Sequence, residues 1–165
     1  VEGISVQTGA AAVLKWPNDL LLAGRKLGGM LTELDTAGGQ LNYAVLGLGL
    51  NVNVSFDPLT APHALAESAT SLMAETGRKI DRLALLAAIL DRTEAWYEQT
   101  LCGKSPHEAW AQRLDTLNRR VTVSMIGSKL EGVATGVTSE GALLVLDDDG
   151  VTHTVWSGDV TALRS

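Results

Sequence analysis

Lys15, Asn18, Asp19 and Lys26 crowd into the stretch KWPNDLLLAGRKLGG, residues 15–29. Two cations, an amide and a carboxylate thus stand around leucines that favour burial. Two strands joined by a short turn would bring the 18–19 corner near Lys26. A lysine drawn into apolar surroundings is costly unless an anion neutralises it, and a carboxylate or phosphate ligand would do so. Gly28 and Gly29 lack side chains, so a ligand or another strand could approach the backbone there. An Asn–Asp pair can hold Mg²⁺ or a nucleotide through its oxygens. A plainer reading stays open: a strand lysine snorkels to solvent, and Pro-Asn-Asp is a common turn.

The second candidate is GLGLNVN, residues 47–53. Gly47 and Gly49 resemble part of a dinucleotide fingerprint, but the third glycine is missing and no helix follows directly. The remaining readings are a core strand with small residues for close packing, or a glycine-thinned strand beside which a planar ligand sits. In the second, Asn51 would present its amide donors and acceptor.

These residues need strands to position them. VLKW leads into the Pro17-Asn18-Asp19 corner, and a hairpin with its turn at Ala23-Gly24-Arg25 returns through Lys26 to Leu34. After a turn at residues 35–40, LNYAVLGLGLNVNV reads as a long apolar strand. Both faces of these strands are apolar, which implies helical cover on at least one side. Residues 55–64 read as a loop holding Pro58 and Pro62, and SATSLMAETG as a short helix closed by Gly77. Asp81 is a fitting N-cap for the clearest helix, with Leu83, Leu86, Leu90, Thr93 and Tyr97 on one face. Gly103 and Pro106 break it, and PHEAWAQRLDTL starts another helix with a first-turn proline. From Asn118 on, short β-rich runs punctuated by glycine turns suggest a small barrel or sandwich.

A boundary near 117/118 leaves 48 residues beyond it in the 165-residue chain. That is close to the lower limit for an independent core. The chain is 45% hydrophobic and 19% charged, an ordinary globular balance. Its net charge is −6 and no basic run exceeds two residues, so this segment lacks the cationic footprint of nucleic-acid binding. The single Cys102 excludes an internal disulfide and favours a reducing, cytoplasmic setting. No apolar run reaches membrane-spanning length. His63, His107 and His153 show no metal-ligand spacing, and Asp147 to Gly150 reads as a hairpin turn rather than a calcium loop. Trp96, Tyr97 and Trp110 read as packing residues.

LKWPNDLLLAGRKLGGMLTEL followed by LGLGLNVN resembles the biotin protein ligase family, that is, biotin–[acetyl-CoA-carboxylase] ligase. The three blocks stand in family order at family spacing. GALLVLDDDG and WSGDVTALR are similar to the closing strands of the family's C-terminal module, so the resemblance covers nearly the whole chain. It implies an α/β fold: a mixed sheet with helices of the class II synthetase-like catalytic domain, truncated at its N-terminus, over residues 1–117. A small all-β, SH3-like barrel over residues 118–165 would follow.

The resemblance implies formation of biotinyl-5′-AMP from biotin and ATP with Mg²⁺, then transfer of biotin to a lysine of a biotin carboxyl carrier protein. Lys26 would be the catalytic lysine that meets the biotin carboxylate, with Gly28 and Gly29 lining the biotin pocket. Asn18 and Asp19 would sit at the ATP phosphates, Asp19 as a Mg²⁺ ligand. Gly47, Gly49 and Asn51 would form the nucleotide side, Asn51 facing the adenine. Lys15 would brace the site, and Arg164 matches an arginine near the end of the C-terminal module. A homodimer paired through the catalytic sheets is a further expectation. The family's upstream Gly-Arg loop and biotin contacts are missing from these residues, so the fragment alone is expected to be inactive. Two other readings remain: a non-catalytic biotin- or nucleotide-binding sensor module, and a lipoate-type ligase, against which the Trp-Pro-Asn-Asp and Arg-Lys-Leu-Gly-Gly blocks argue.

Overall fold

The computed structural model describes residues 1–56 and 67–162. Most of the loop expected at 55–64, with Pro58, Pro62 and His63, lies outside the described residues, as does Arg164. The chain forms two compact units: Val1–Val13 with Asn18–Thr93, and Leu14–Pro17 with Glu94–Ser165. The boundary expected at 117/118 falls inside the second unit. Two antiparallel sheets and their helices make a mixed α/β chain.

In the first unit, helix α1 (Glu2–Thr8) ends at Gly9 in the left-handed conformation. Strand β1 is Val13–Lys15, of which Val13 alone belongs to this unit, and β2 (Asp19–Leu22) turns into β3 (Arg25–Ala37) through Ala23 and Gly24. Both turn residues have positive φ, 49° and 73°. That is the twist a two-residue hairpin loop needs, and glycine supplies half of it without strain. Strand β4 (Gln40–Leu50) returns antiparallel along β3 from Gly28 to Ala37. The β2–β3 register slips once: Leu20 faces Gly28 while Leu21 faces Lys26, leaving Leu27 as an extra residue on β3. Leu27 is fully buried, with Leu20, Leu22, Leu72, Ile80 and Leu85 among the core residues of this unit.

Helix α2 (Leu72–Thr76) is capped by Ser71, whose hydroxyl accepts from Ala74 N–H at 3.1 Å, and is closed by Gly77 as expected. Helix α3 (Arg82–Leu101) starts under the expected cap: Asp81 Oδ1 accepts from Leu83 and Ala84 N–H at 2.9 and 3.1 Å. Its apolar stripe behaves differently from the usual core face. Leu83, Leu86, Leu90 and Tyr97 are exposed, and Leu85 is the buried residue of the helix. The β3–β4 ribbon also departs from expectation, since Leu31, Leu34, Tyr43, Val45 and Leu46 are exposed rather than under helical cover.

In the second unit, β5 (Arg120–Met125), β6 (Ser128–Val137), β7 (Leu143–Leu146), β8 (Thr152–Val155) and β9 (Asp159–Ala162) pair antiparallel in the order β8-β7-β6-β5-β9. Among the described residues no β8–β9 pairing closes this sheet into a barrel. Period-two alternation puts Val121, Val123, Leu143, Val145, Val155 and Val160 into one core, together with Trp16 and Leu114. Trp16 is only 1% exposed. Its indole N–H donates to the Gly141 carbonyl and its backbone N–H to the Thr116 hydroxyl, both at 2.9 Å. Helix α4 is only His107–Ala111, shorter than the helix expected from residue 106 to 117. Leu14 explains the early stop: its N–H donates to the Arg113 carbonyl and its carbonyl accepts from Asp115 N–H, each at 2.8 Å. Those strand-like bonds occupy backbone groups that a longer helix would need. At the β7–β8 turn Asp147 Oδ1 accepts from Asp149 and Val151 N–H, which is the expected hairpin turn.

Candidate functional site

The β2–β3 hairpin brings the 18–19 corner to Lys26. Lys26 Nζ lies 2.6 Å from Asp19 Oδ1, with the lysine side chain 53% exposed and the aspartate 19%. The cation is therefore neutralised by the chain itself, and enough of it reaches solvent to meet a second anion. A lysine ammonium carries three donors, and one bond to Asp19 leaves two.

The register slip aims this lysine. Lys26 and Gly29 are three residues apart, so a regular strand would turn them to opposite faces. The extra Leu27 resets the phase, as β-bulges do. A Cβ built on Gly29 would meet Asp19 Oδ1 at 3.1 Å and Lys26 Cε at 3.9 Å, so all three share one face. Asp19 faces Gly29 across β2–β3, and Gly29 faces Gly49 across β3–β4. The next pair on the same face is Leu31 with Gly47. A side chain at Gly49 or Gly47 would meet only carbonyl oxygens at 3.9 and 3.7 Å. The result is a glycine floor, without side chains at Gly29, Gly49 and Gly47 and bordered by the exposed Leu31, running from the Lys26–Asp19 pair across the ribbon.

The neighbouring glycine plays a different part. A Cβ on Gly28 would stand 2.2 Å from the Gly49 carbonyl oxygen, so its bare face serves the approach of β4. Asn18 spends its amide on structure, donating from Nδ2 to the Met30 carbonyl at 2.7 Å. Asn51, one residue beyond β4, is held at its backbone: its N–H donates to Leu27 and its carbonyl accepts from Leu72 N–H. Lys15 belongs to the second unit, where its ammonium lies 3.6 Å from Asp159 Oδ1. The segment before α2, read from the sequence only as part of a short helix, also reaches Lys26. Thr70 N–H donates to the Lys26 carbonyl at 2.9 Å, and Ala69 pairs with Lys26 in a parallel bridge. Its contact lies far from Lys26 along the chain, and no local spacing announces it.

Two regions of the chain match known protein families. Residues 2–51, which hold the whole ribbon, match the biotin/lipoate A/B protein ligase family. Residues 116–161 match the family described as biotin protein ligase C terminal domain. The chain belongs to the biotin protein ligase family. It is 31% identical over 162 residues to the bifunctional ligase/repressor BirA of Bacillus subtilis, covering 97% of this chain and 49% of that protein. It is 35% identical over 153 residues to the biotin–[acetyl-CoA-carboxylase] ligase of Mycobacterium tuberculosis, covering 92% of this chain and 53% of that one. The structure of the Aquifex aeolicus biotin protein ligase in complex with biotin and ATP superposes with a TM-score of 0.79 at 26% identity, over 99% of this chain and 67% of that one. The chain thus spans about half the length of these curated relatives.

Proposed function

We propose that these residues work within an ATP-dependent biotin–protein ligase. A biotin carboxylate oxygen attacks the α-phosphorus of ATP, giving biotinyl-5′-AMP and pyrophosphate. The amine of a carrier-protein lysine then attacks the acyl carbon and releases AMP. Attack of a carboxylate on a polyphosphate sets two anions against each other, and a fixed cation at that point lowers the barrier. The observation that carries this reading is the half-exposed Lys26 ammonium, held by Asp19 at the head of the glycine floor. Biotin is proposed to lie over Gly29, with its carboxylate at Lys26. The nucleotide is proposed to run past Asn18 and Asp19 toward Gly47, Gly49 and Asn51.

Magnesium is proposed to arrive as the counter-ion of the ATP phosphates. The chain offers it one carboxylate, Asp19, with an oxygen already bonded to Lys26, and no cluster of three His, Cys, Asp or Glu occurs among the described residues. These residues therefore do not build a metal site of their own. The proposed protein partner is a biotin carboxyl carrier protein, the proposed compartment the cytoplasm, and a homodimer the proposed assembly. Residues 118–165 are proposed to act as an SH3-like module. Among the described residues no helix is long and apolar enough to cross a membrane. Because the match covers half of the relatives, catalysis is proposed for a polypeptide that also carries the other half, and this chain alone is expected not to form the adenylate.

Biotin-dependent ATP–pyrophosphate exchange by such a complete polypeptide tests the reading. Exchange lost in Lys26→Ala supports it. Exchange unchanged in that variant contradicts it, and biotin or nucleotide binding without exchange would favour the sensor module.

A further inference from the structure

The bulge that aims Lys26 also takes Leu27 out of the β2–β3 pairing, so that ladder alone leaves the Lys26 peptide loosely specified. What fixes it comes from the other side. Residues 70–73 bond to both strands at one end of the glycine floor, to Lys26 at the start of β3 and to Asn51 and Val52 just past β4. Thr70 N–H donates to Lys26, Leu72 N–H to Asn51 and Met73 N–H to Val52, at 2.9, 3.0 and 2.8 Å. This clip is itself tied back to β3. Thr70 is 1% exposed, and its hydroxyl donates to Glu75 Oε1 at 2.5 Å. The same Glu75 oxygen accepts from Arg25 Nη2 at 2.5 Å. Arg25 directly precedes Lys26, so the bonds close a ring: Lys26 to Thr70, Thr70 to Glu75, Glu75 to Arg25, and Arg25 through the chain to Lys26.

We propose that Glu75 is a positioning residue for Lys26, acting through Thr70 and Arg25. This rests on the ligase reading of Lys26. The Glu75 side chain is 19% exposed and accepts from a guanidinium and a hydroxyl, and charge-assisted bonds of this kind are the stronger sort. Removing the carboxylate orphans a buried Thr70 hydroxyl and unties Thr70 from Arg25, so the Lys26 peptide is held less firmly although Leu72 and Met73 still bond to Asn51 and Val52. A lysine displaced by about 1 Å from its reactive geometry costs up to about 100-fold in rate.

The test is single-turnover formation of biotinyl-5′-AMP by a complete ligase polypeptide carrying this chain. Glu75→Ala, Glu75→Gln and Thr70→Val are each made with Lys26 present and with Lys26→Ala. With Lys26 present, Glu75→Ala and Thr70→Val are expected to slow adenylation about 10- to 100-fold. Glu75→Gln keeps an oxygen for Thr70 and is expected to lose less. In the Lys26→Ala background all three are expected to add no further loss, because the group they position is gone. Equal losses in both backgrounds, or none with Lys26 present, overturn the positioning role. Adenylation unaffected by Lys26→Ala alone overturns the ligase reading, and this inference with it. Should Glu75→Ala fail to fold, the near-isosteric Glu75→Gln and Thr70→Val carry the same comparison.

Discussion

The Lys26 ammonium sits 2.6 Å from the Asp19 carboxylate, across a hairpin whose strands slip register between them. Half-exposed ion pairs of this kind contribute about 0–1 kcal/mol to stability. The pair therefore matters little to folding and much to any anion brought beside it. Lys26→Ala is expected to leave the thermal midpoint nearly unchanged while slowing adenylation about 10²- to 10³-fold, the range for loss of one preorganised charge-stabilising group. Melting curves and pyrophosphate exchange on one preparation of a complete polypeptide carrying this chain check both halves.

Gly28 and Gly29 are adjacent and should fail differently. A Cβ at Gly28 would collide with the Gly49 carbonyl at 2.2 Å, so Gly28→Ala forces the strands apart and is expected to cost about 1–3 kcal/mol. A Cβ at Gly29 points to the open face, 3.1 Å from Asp19 Oδ1. Gly29→Ala is expected to keep most of the stability and weaken ligand binding instead. Denaturant titration and ligand titration of the two variants separate the effects.

Trp16 anchors its short segment in the core of the second unit. Trp16→Ala removes a buried side chain and orphans the Gly141 carbonyl, which accepts its indole N–H. Truncation of a large buried aromatic costs about 3–5 kcal/mol. Trp16→Phe keeps most of the buried surface and is expected to lose much less. Urea unfolding followed by far-UV circular dichroism distinguishes the two.

Much of this was legible in the residues, and the gaps have causes. The Asp81 cap, the Gly77 stop and the Asp147 turn are local signals, and all are in place, while the turn expected over Ala23-Gly24-Arg25 is the tighter Ala23–Gly24 loop, with Arg25 already in β3. The closeness of Asp19 and Lys26 follows from a short hairpin. The bulge does not: alternation in the sequence around Leu27 gives no sign of an extra residue, because pairing with a neighbour decides it. The same holds for Trp16, whose place in the second unit depends on Thr116 and Gly141, roughly a hundred residues away. It holds again for Thr70 and Glu75, which meet Lys26 and Arg25 only in three dimensions. The stripe on α3 was visible as a pattern, but its exposure was not, since periodicity marks an apolar face without saying what covers it.

Acid should act on the β7–β8 turn. The hydrogen bond from His153, and then the Val151 N–H, hold the Asp147 carboxyl below the ordinary aspartate value. A depressed folded pKa contributes stability that is fully present above the unfolded pKa. That contribution is lost as pH falls through the folded one. Asp147→Asn removes the titrating group, so its stability is expected to fall less steeply than that of the parent below about pH 4, where an ordinary aspartate titrates. Urea midpoints measured from pH 6 down to pH 2 give the slopes.

The most direct test of the account is calorimetric titration of this chain with biotinyl-5′-AMP, or a non-hydrolysable analogue, beside a folded Lys26→Ala control. The account predicts binding that the control loses, placing the acyl-phosphate at Lys26. Binding of equal strength in both proteins, or none in a chain shown to be folded, would contradict a ligand site headed by Lys26 on this ribbon.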